Sequence, residues 1–176
     1  INYFGYDAEN LFWDAETGWT SDGKTAITPE LVSPINGASA GAIFIPKITV
    51  KSGKFNIVSH SRSVSCTGTA YVDIYGGTIH RLHMGSVNGG VGGNTKVNIY
   101  GGTFDGKLMA VDAVSTTNME GELTVTVSGG DFSAADFFDG TVLAGTSLID
   151  ISAFAGKAEL AEKITGFTMV NAEPGV

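Results

Sequence analysis

One short pattern that recurs four times places the strongest constraint on the fold of this chain. Each copy has apolar residues at alternating positions, then a glycine or a glycine pair, and then a further apolar residue. The copies span eight residues each and begin at Ile48, Val72, Val97 and Val125. The glycines that end the alternation are spaced by 24, 25 and 28 residues and are Gly53, Gly77, Gly102 and Gly130. A motif that recurs in phase at this period indicates a repeat protein.

The alternation within each copy predicts a β-strand with one buried face. A glycine pair then permits a sharp corner with a positive φ, which a Cβ would oppose. A strand, a glycine corner and a second strand every ~25 residues describe one rung of a parallel β-helix, also called a β-solenoid. An antiparallel sandwich also has strands at short intervals, but it does not require one motif to recur in phase. We therefore expect an all-β parallel β-helix of about five rungs.

Alignment of the copies predicts columns of inward side chains. Like residues would stack at the strand spacing of ~4.8 Å and form a continuous core. The first three columns are Ile48, Val72, Val97 and Val125; Val50, Ile74, Ile99 and Val127; and Phe55, Ile79, Phe104 and Phe132. The second strands add Val58, Leu82 and Leu108, and a weaker fifth copy runs from Ile149 to Phe154.

The two ends of the chain lack the motif, and a solenoid needs elements that cover its terminal strand edges. We interpret residues 1–45, which hold Trp13 and Trp19, as an N-terminal cap of the same domain, followed by rungs over residues 46–155. Residues 156–176 form the C-terminal cap, in which the pattern predicts a short helix over 155–164 and a last strand with Phe167 and Met169. The longer step before Gly130 predicts an outward polar loop over 115–121 that includes Met119.

Composition narrows the function classes. The net charge is −8 and basic residues form no run, which argues against nucleic acid and anionic membrane surfaces as partners. Apolar runs are short, so no membrane insertion is predicted. Cys66 is the only cysteine and is interpreted as a small buried apolar residue. No metal ligand set or cofactor motif is found, and no calcium-loop pattern supports a structural calcium ion.

The copies Ile-Tyr-Gly-Gly-Thr-Ile at 74–79 and Ile-Tyr-Gly-Gly-Thr-Phe at 99–104 resemble the repeats of right-handed parallel β-helix domains in extracellular bacterial surface proteins. The resemblance covers residues 46–155. It implies a right-handed β-helix and an extracellular or cell-surface location. It is weak for activity, because that family includes polysaccharide lyases, glycoside hydrolases, tailspikes and inert adhesin stalks.

A basic cluster on the second strand of one rung is the candidate catalytic site. It contains His80, Arg81 and His83, with His60 one rung earlier and Asp105 beside His80 in the next rung. Alternation places Arg81 and His83 on one outward face, where they would serve proton transfer. The competing interpretation is a set of exposed polar residues, because no row of carboxylates lies on the same strand.

An outward aromatic patch is the candidate ligand-binding site. Tyr71, Tyr75 and Tyr100 would lie on neighbouring rungs, flanked by lysines, with Asp73 and Asn98 between them. Tyrosine rings suit stacking on the apolar faces of sugars, and the two polar side chains can bond to hydroxyl groups. Two alternatives remain: a tyrosine ladder that stabilises the solenoid without a ligand, and a patch that packs on the cap, another domain or a partner subunit.

These observations predict a non-catalytic β-helix module of an extracellular or cell-surface bacterial protein, serving as an adhesive or glycan-contacting scaffold. The expected partners are a polysaccharide or a host or cell-surface glycan, together with other domains of a longer protein. The alternative function is that of a polysaccharide lyase or glycoside hydrolase of the β-helix class.

Overall fold

The computed structural model of this chain describes residues 12–14, 18–20, 43–44, 47–59, 61–62, 68–86, 93–111, 119–142 and 144–173. Strands before the second rung are β1 (Phe12–Asp14), β2 (Gly18–Thr20), β3 (Ile43–Phe44), β4 (Lys47–Val50), β5 (Lys54–Phe55), β6 (Val58–Ser59) and β7 (Ser61–Arg62). The next are β8 (Ala70–Ile74), β9 (Thr78–Ser86), β10 (Thr95–Ile99), β11 (Thr103–Val111) and β12 (Glu122–Val127). The last elements are β13 (Phe137–Asp139), β14 (Thr146–Asp150), α1 (Lys157–Ala161), β15 (Ile164–Thr165) and β16 (Met169–Asn171).

Two parallel sheets form the body of the protein. The first sheet has the spatial order β4-β8-β10-β12-β14-β16, and the second has the order β5-β9-β11-β13-β15, with β6 also paired to β9. The chain therefore alternates between the sheets and adds one strand to each in every turn. About four turns of about 25 residues are stacked. The predicted parallel β-helix is confirmed, since the five sequence copies supply five successive strands of the first sheet, with four turns between them.

The predicted core columns lie in register. Val72 pairs with Val97, and Val97 with Val125, while Ile74 and Ile99 are neighbours in the second column. The aromatic column is buried as expected, and the rings of Phe104 and Phe132 stack with centroids 4.7 Å apart. On the second sheet Leu82 pairs with both Val58 and Leu108. Because every rung repeats the same inward side chains, each rung buries its apolar face on an equivalent face of the next.

The glycine corners join the first sheet to the second, and the two glycines of a pair serve different purposes. Gly102 has a φ of +102°, a conformation that a Cβ opposes. Gly101 lies so close to the previous rung that a Cβ there would collide with the carbonyl oxygen of Tyr75. In the first rung Ser52 takes the place of Gly101, which is allowed because β4 is the terminal strand of its sheet. The predicted positive φ is also found at Gly53, Gly77 and Gly130.

The C-terminal cap differs in detail from the expectation. Helix α1 spans five residues, shorter than the predicted 155–164, and buries Leu160. The chain then returns to the second sheet as β15 and to the first as β16, which contains Met169. Placing Phe167 in the last strand was wrong: it lies between β15 and β16, and its ring packs edge-on against Phe138 with centroids 5.7 Å apart.

At the other end, β1 and β2 form an antiparallel pair, and β1 lies against β5. Strand β3 pairs antiparallel with β7, which lies against β9. Most of the predicted N-terminal cap falls outside the described residues, as do Cys66 and His60. The prediction that Met119 belongs to an outward loop was wrong, because its side chain is fully buried in the core.

Candidate functional site

The outward side of the first sheet presents a regular grid of side chains, which we call the tyrosine face. Its three columns run across β4, β8 and β10 and into the residues that follow them. They are Lys47, Tyr71 and Lys96; Thr49, Asp73 and Asn98; and Lys51, Tyr75 and Tyr100. The register of these strands has no shift, so the side chains of one column stand one strand spacing apart.

The main chain fixes the spacing of the two tyrosines that precede the corners. The N–H of Tyr75 donates to the carbonyl of Val50 at 2.7 Å, and that of Tyr100 donates to Ile74 at 2.8 Å. Their rings stack, with centroids 4.7 Å apart and planes inclined by 16°. The side chains remain 51% and 47% exposed, and that of Tyr71 is 41% exposed. The predicted exposed aromatic patch is therefore present among the described residues.

Asp73 and Asn98 lie between the tyrosine columns and form a hydrogen bond with each other. The amide Nδ2 of Asn98 donates to Asp73 Oδ1 at 2.8 Å, and both side chains are half-buried. Further along the same column, Asn171 Nδ2 donates to Asp150 Oδ2 at 3.1 Å. One bond leaves a carboxylate oxygen, an amide oxygen and an amide proton with capacity for further bonds. The prediction that these two residues flank the rings is confirmed, and their mutual bond is a feature that sequence reasoning missed.

The Tyr100 hydroxyl is protonated near neutral pH, as phenols ordinarily are. Desolvation, and then the negative charge of Asp73 and the neighbouring Tyr75, raise the pKa of Tyr100 above its ordinary value of 10.0. A phenol that stays protonated near neutral pH donates a hydrogen bond as well as accepting one. The stacked pair therefore offers an apolar ring surface with a hydroxyl donor at its rim.

The residues of the predicted catalytic cluster lie on the second sheet but do not form one site, because His80 and Asp105 are exposed whereas His83 is buried. His80 Nδ1 lies 3.2 Å from Asp105 Oδ1, and both side chains are exposed. A shallow concavity of about 290 Å³ beside them is also lined by Lys54, Asn56 and Thr78. The predicted contact between His80 and Asp105 is confirmed, while His60 lies outside the described residues.

A β-bulge directly follows this contact. The pairing of β9 with β11 shifts between Phe104 and Lys107, so β11 has one more residue here than β9. A Cβ at Gly106 would collide with the main chain of His80, so only glycine fits within the bulge. Bulges of this kind redirect side chains and occur next to active sites. The aligned columns carry a signal for it, since Ile79 and Phe104 are 25 residues apart whereas Leu82 and Leu108 are 26 residues apart.

Arg81 and His83 do not share a solvent-exposed face, which corrects the expectation. Arg81 is exposed and pairs in register with Lys107, whose Nζ lies 5.5 Å from the centroid of the Phe137 ring. His83 is only 1% exposed, and its neighbours Ser59 and Met109 in the same column are buried too. Alternation orients His83 outward correctly, but the outer side of the second sheet is covered at this position.

A second concavity, of about 310 Å³, lies at the C-terminal corner between residues 130–133 and α1. Its polar groups are engaged in structural bonds. Lys163 Nζ donates to the carbonyls of Ser133 at 2.9 Å and Ala135 at 2.7 Å. Hydrogen bonds from Ser133 lower the pKa of Asp131 in the same loop. These contacts tie Lys163, which follows α1, to the loop after the fourth glycine corner.

Among the described residues, no group of three or more His, Cys, Asp or Glu side chains could hold a metal ion. Within the same residues, no helix is long and apolar enough to cross a membrane. Comparison of the chain with protein-family models, with curated proteins and with solved structures finds no match.

Proposed function

We propose that this chain is a non-catalytic β-helix module of an extracellular or cell-surface bacterial protein and that its tyrosine face contacts a glycan. The single observation that carries the proposal is the exposed, stacked pair of Tyr75 and Tyr100. Large aromatic rings that remain half-exposed next to polar groups are typical of surfaces that bind a partner with apolar and hydroxylated sides.

The arrangement of polar groups supports the same proposal. Asp73 and Asn98 lie in the column beside the stacked rings and retain bonding capacity after their mutual hydrogen bond. A sugar ring on Tyr75 or Tyr100 would place its hydroxyl groups toward this column. Carboxylate and amide groups accept from and donate to hydroxyls, which gives orientation to a contact that stacking alone leaves free.

The expected affinity is low for a single contact. Each stacked ring contributes about 0.5–1.5 kcal/mol by analogy with aromatic pairs, which gives binding in the high-micromolar to millimolar range for two or three rings. Such affinity suits a scaffold that meets a polymer with many repeated units, since multivalent contact raises the overall strength of attachment.

The test is a glycan array probed with the parent chain and with the double variant Tyr75→Ala/Tyr100→Ala. We expect the array signal to fall to background in the variant, because both rings of the stack are lost. Phe137→Ala is the matched control, since it removes a partly exposed ring from the opposite sheet. Equal signals from the parent and the double variant would contradict the proposal.

The alternative proposal is a polysaccharide lyase or glycoside hydrolase that uses the neighbourhood of His80. One observation favours it: the Asp105 carboxylate lies 3.2 Å from the His80 imidazole, beside a concavity that both residues line. An imidazole that is hydrogen-bonded to a carboxylate can accept a proton from a substrate in that concavity. Incubation with uronic and neutral polysaccharides, followed by absorbance of unsaturated ends and a reducing-sugar assay, tests it. Turnover that is lost in both Arg81→Ala and Asp105→Asn would establish the enzyme and end the non-catalytic proposal.

A further inference from the structure

Lysines frame the tyrosine face on both sides. Lys47 on β4 and Lys96 on β10 are in register with Tyr71 on β8, so one lysine stands on each side of that ring. Both lysines are exposed, and neither forms an ion pair with another described residue. Lys51 begins the column that continues with Tyr75 and Tyr100.

This concentration of positive charge stands out in an acidic protein. The chain has a net charge of −8, yet the nine positions of the tyrosine face hold three lysines and a single carboxylate. That carboxylate, Asp73, already accepts a hydrogen bond from Asn98 at 2.8 Å. The tyrosine face is therefore locally cationic, and such a patch raises the local concentration of anionic ligands.

The stacked rings of Tyr75 and Tyr100 are separated along the strand from Lys47 and Lys96. The Tyr71 column and the Tyr75 column are four positions apart along the strand, which corresponds to about 13 Å in an extended strand. A single small anion cannot span that distance, whereas an extended chain that runs along β8 and β10 can stack on one end and place a charge at the other. Ring stacking and charge are then supplied by different units of one polymer.

We propose that the tyrosine face selects acidic polysaccharides, with sugar rings on Tyr75 and Tyr100 and a carboxylate between Lys47 and Lys96. This inference rests on the proposed glycan contact and adds the chemical class of the glycan. Exposed ion pairs are weak, so each lysine is expected to strengthen binding about two- to fivefold at low salt. The contribution falls as salt rises, because the Debye length shortens from ~30 Å at 0.01 M to ~8 Å at 0.15 M.

The experiment is native affinity electrophoresis in gels that contain polygalacturonate or the same polymer with its carboxyl groups methyl-esterified. The two polymers share one backbone and differ in charge. We expect the parent chain to be retarded more by the acid than by the ester at 10 mM salt, and the two retardations to converge at 300 mM. The double variant Lys47→Gln/Lys96→Gln should lose the preference and keep its retardation by the ester.

Lys54→Gln/Lys107→Gln is the matched control, because it changes the net charge equally and alters exposed lysines of the second sheet. It should keep the preference for the acid. Circular dichroism of each variant against the parent verifies that the β-solenoid is intact. Equal loss of preference in both lysine pairs would overturn the inference, since it would show an effect of net charge and not of this face.

The outcomes separate the inference from the function on which it rests. Equal retardation of the parent by acid and ester, both abolished in Tyr75→Ala/Tyr100→Ala, would overturn the acidic preference and keep the glycan contact. No retardation by either polymer, or retardation that the tyrosine variant leaves unchanged, would overturn both. Polyglutamate carries carboxylates without sugar rings, and retardation by it as strong as by polygalacturonate would also overturn the inference.

Discussion

The outer faces of the two sheets differ, although the same alternation of apolar and polar residues underlies both. On the first sheet the strands β4, β8, β10 and β12 pair without a register shift, and the outward tyrosines are half-exposed. On the second sheet the pairing of β9 with β11 shifts twice, and the outward residues Ser59, His83 and Met109 are buried. The first face is regular and open, and the second is irregular and partly covered.

The difference shows what alternation does and does not specify. It determines which side of the strand a residue occupies, because successive Cβ atoms point to opposite sides. It does not determine what lies above that side. Strands β1 and β7 lie against strands of the second sheet, while the tyrosine face stays open. A ligand surface on a solenoid therefore requires both outward residues and the absence of a covering segment.

A negative charge at a covered outward position should cause the largest effect. His83→Asp places a carboxylate at a buried site, and we expect a loss of about 3–5 kcal/mol in the free energy of unfolding. Ser128→Asp on the open face should stay within about 0.5 kcal/mol of the parent. Urea unfolding of both variants provides the measurement. Similar losses in the two variants would show that the faces do not differ in coverage.

Substitution of the glycines at the corner between the sheets should cause the second-largest loss of stability. Gly101→Ser introduces a Cβ against the carbonyl of Tyr75, and we expect a destabilisation of about 1–3 kcal/mol. At Gly102 and Gly77, where φ is positive, a valine should cost at least ~1 kcal/mol. Thermal melts compare these variants with Ser52→Ala, which retains a Cβ at the equivalent position of the first rung and should lose less stability than Gly101→Ser. An unchanged melting temperature in Gly101→Ser would refute the packing argument.

The tyrosine stack should contribute less to stability than the corners. A double-mutant cycle of Tyr75→Ala and Tyr100→Ala in urea should give a coupling of about 0.5–1.5 kcal/mol. Each ring is about half-exposed in the parent, so the single variants Tyr75→Ala and Tyr100→Ala should fold normally. A coupling near zero would mean that the rings gain nothing from each other, and a coupling far above this range would favour a tyrosine ladder whose purpose is stability.

Loss of the Asp150 carboxylate on the first sheet should have the smallest effect on stability, and the effect should depend on pH only in acid. Hydrogen bonds from the Ser152 hydroxyl and N–H, and a further bond from Asn171, lower the pKa of Asp150 below its ordinary value of 3.8. Its contribution to stability is therefore present above about pH 4 and is lost as the pH falls through the lowered pKa. Asp150→Asn should flatten the fall of the melting temperature below pH 4. A melting curve with the parent's acid slope would contradict this assignment.

Much of the tyrosine face follows from the sequence. Tyr75 and Tyr100 precede equivalent glycine pairs in consecutive copies, so a repeat period of 25 residues already places them on adjacent rungs. The neighbours of Asp73 follow from the same alignment. These predictions succeeded because the register of a parallel sheet in a solenoid is set by the period of the repeat, which is a local and countable property.

The second sheet shows where such reasoning ends. The sequence correctly placed Asp105 beside His80, and the bulge at Gly106 matches the change in column spacing from 25 to 26 residues. His83 was expected on an exposed face and is buried, and Met119 was expected outside and lies in the core. Each of these outcomes depends on segments that are distant in sequence and become neighbours only after folding.

The sequence by itself determined the repeat, the columns of the core, the positive φ of the corner glycines and the order of outward residues. Those properties arise from backbone geometry that is the same in every rung. Only the tertiary structure decided which outward residues meet solvent, because burial depends on whatever packs above a strand. It also decided the hydrogen bond between Asp73 and Asn98, because side chains on neighbouring rungs come within hydrogen-bonding distance only after the rungs have stacked.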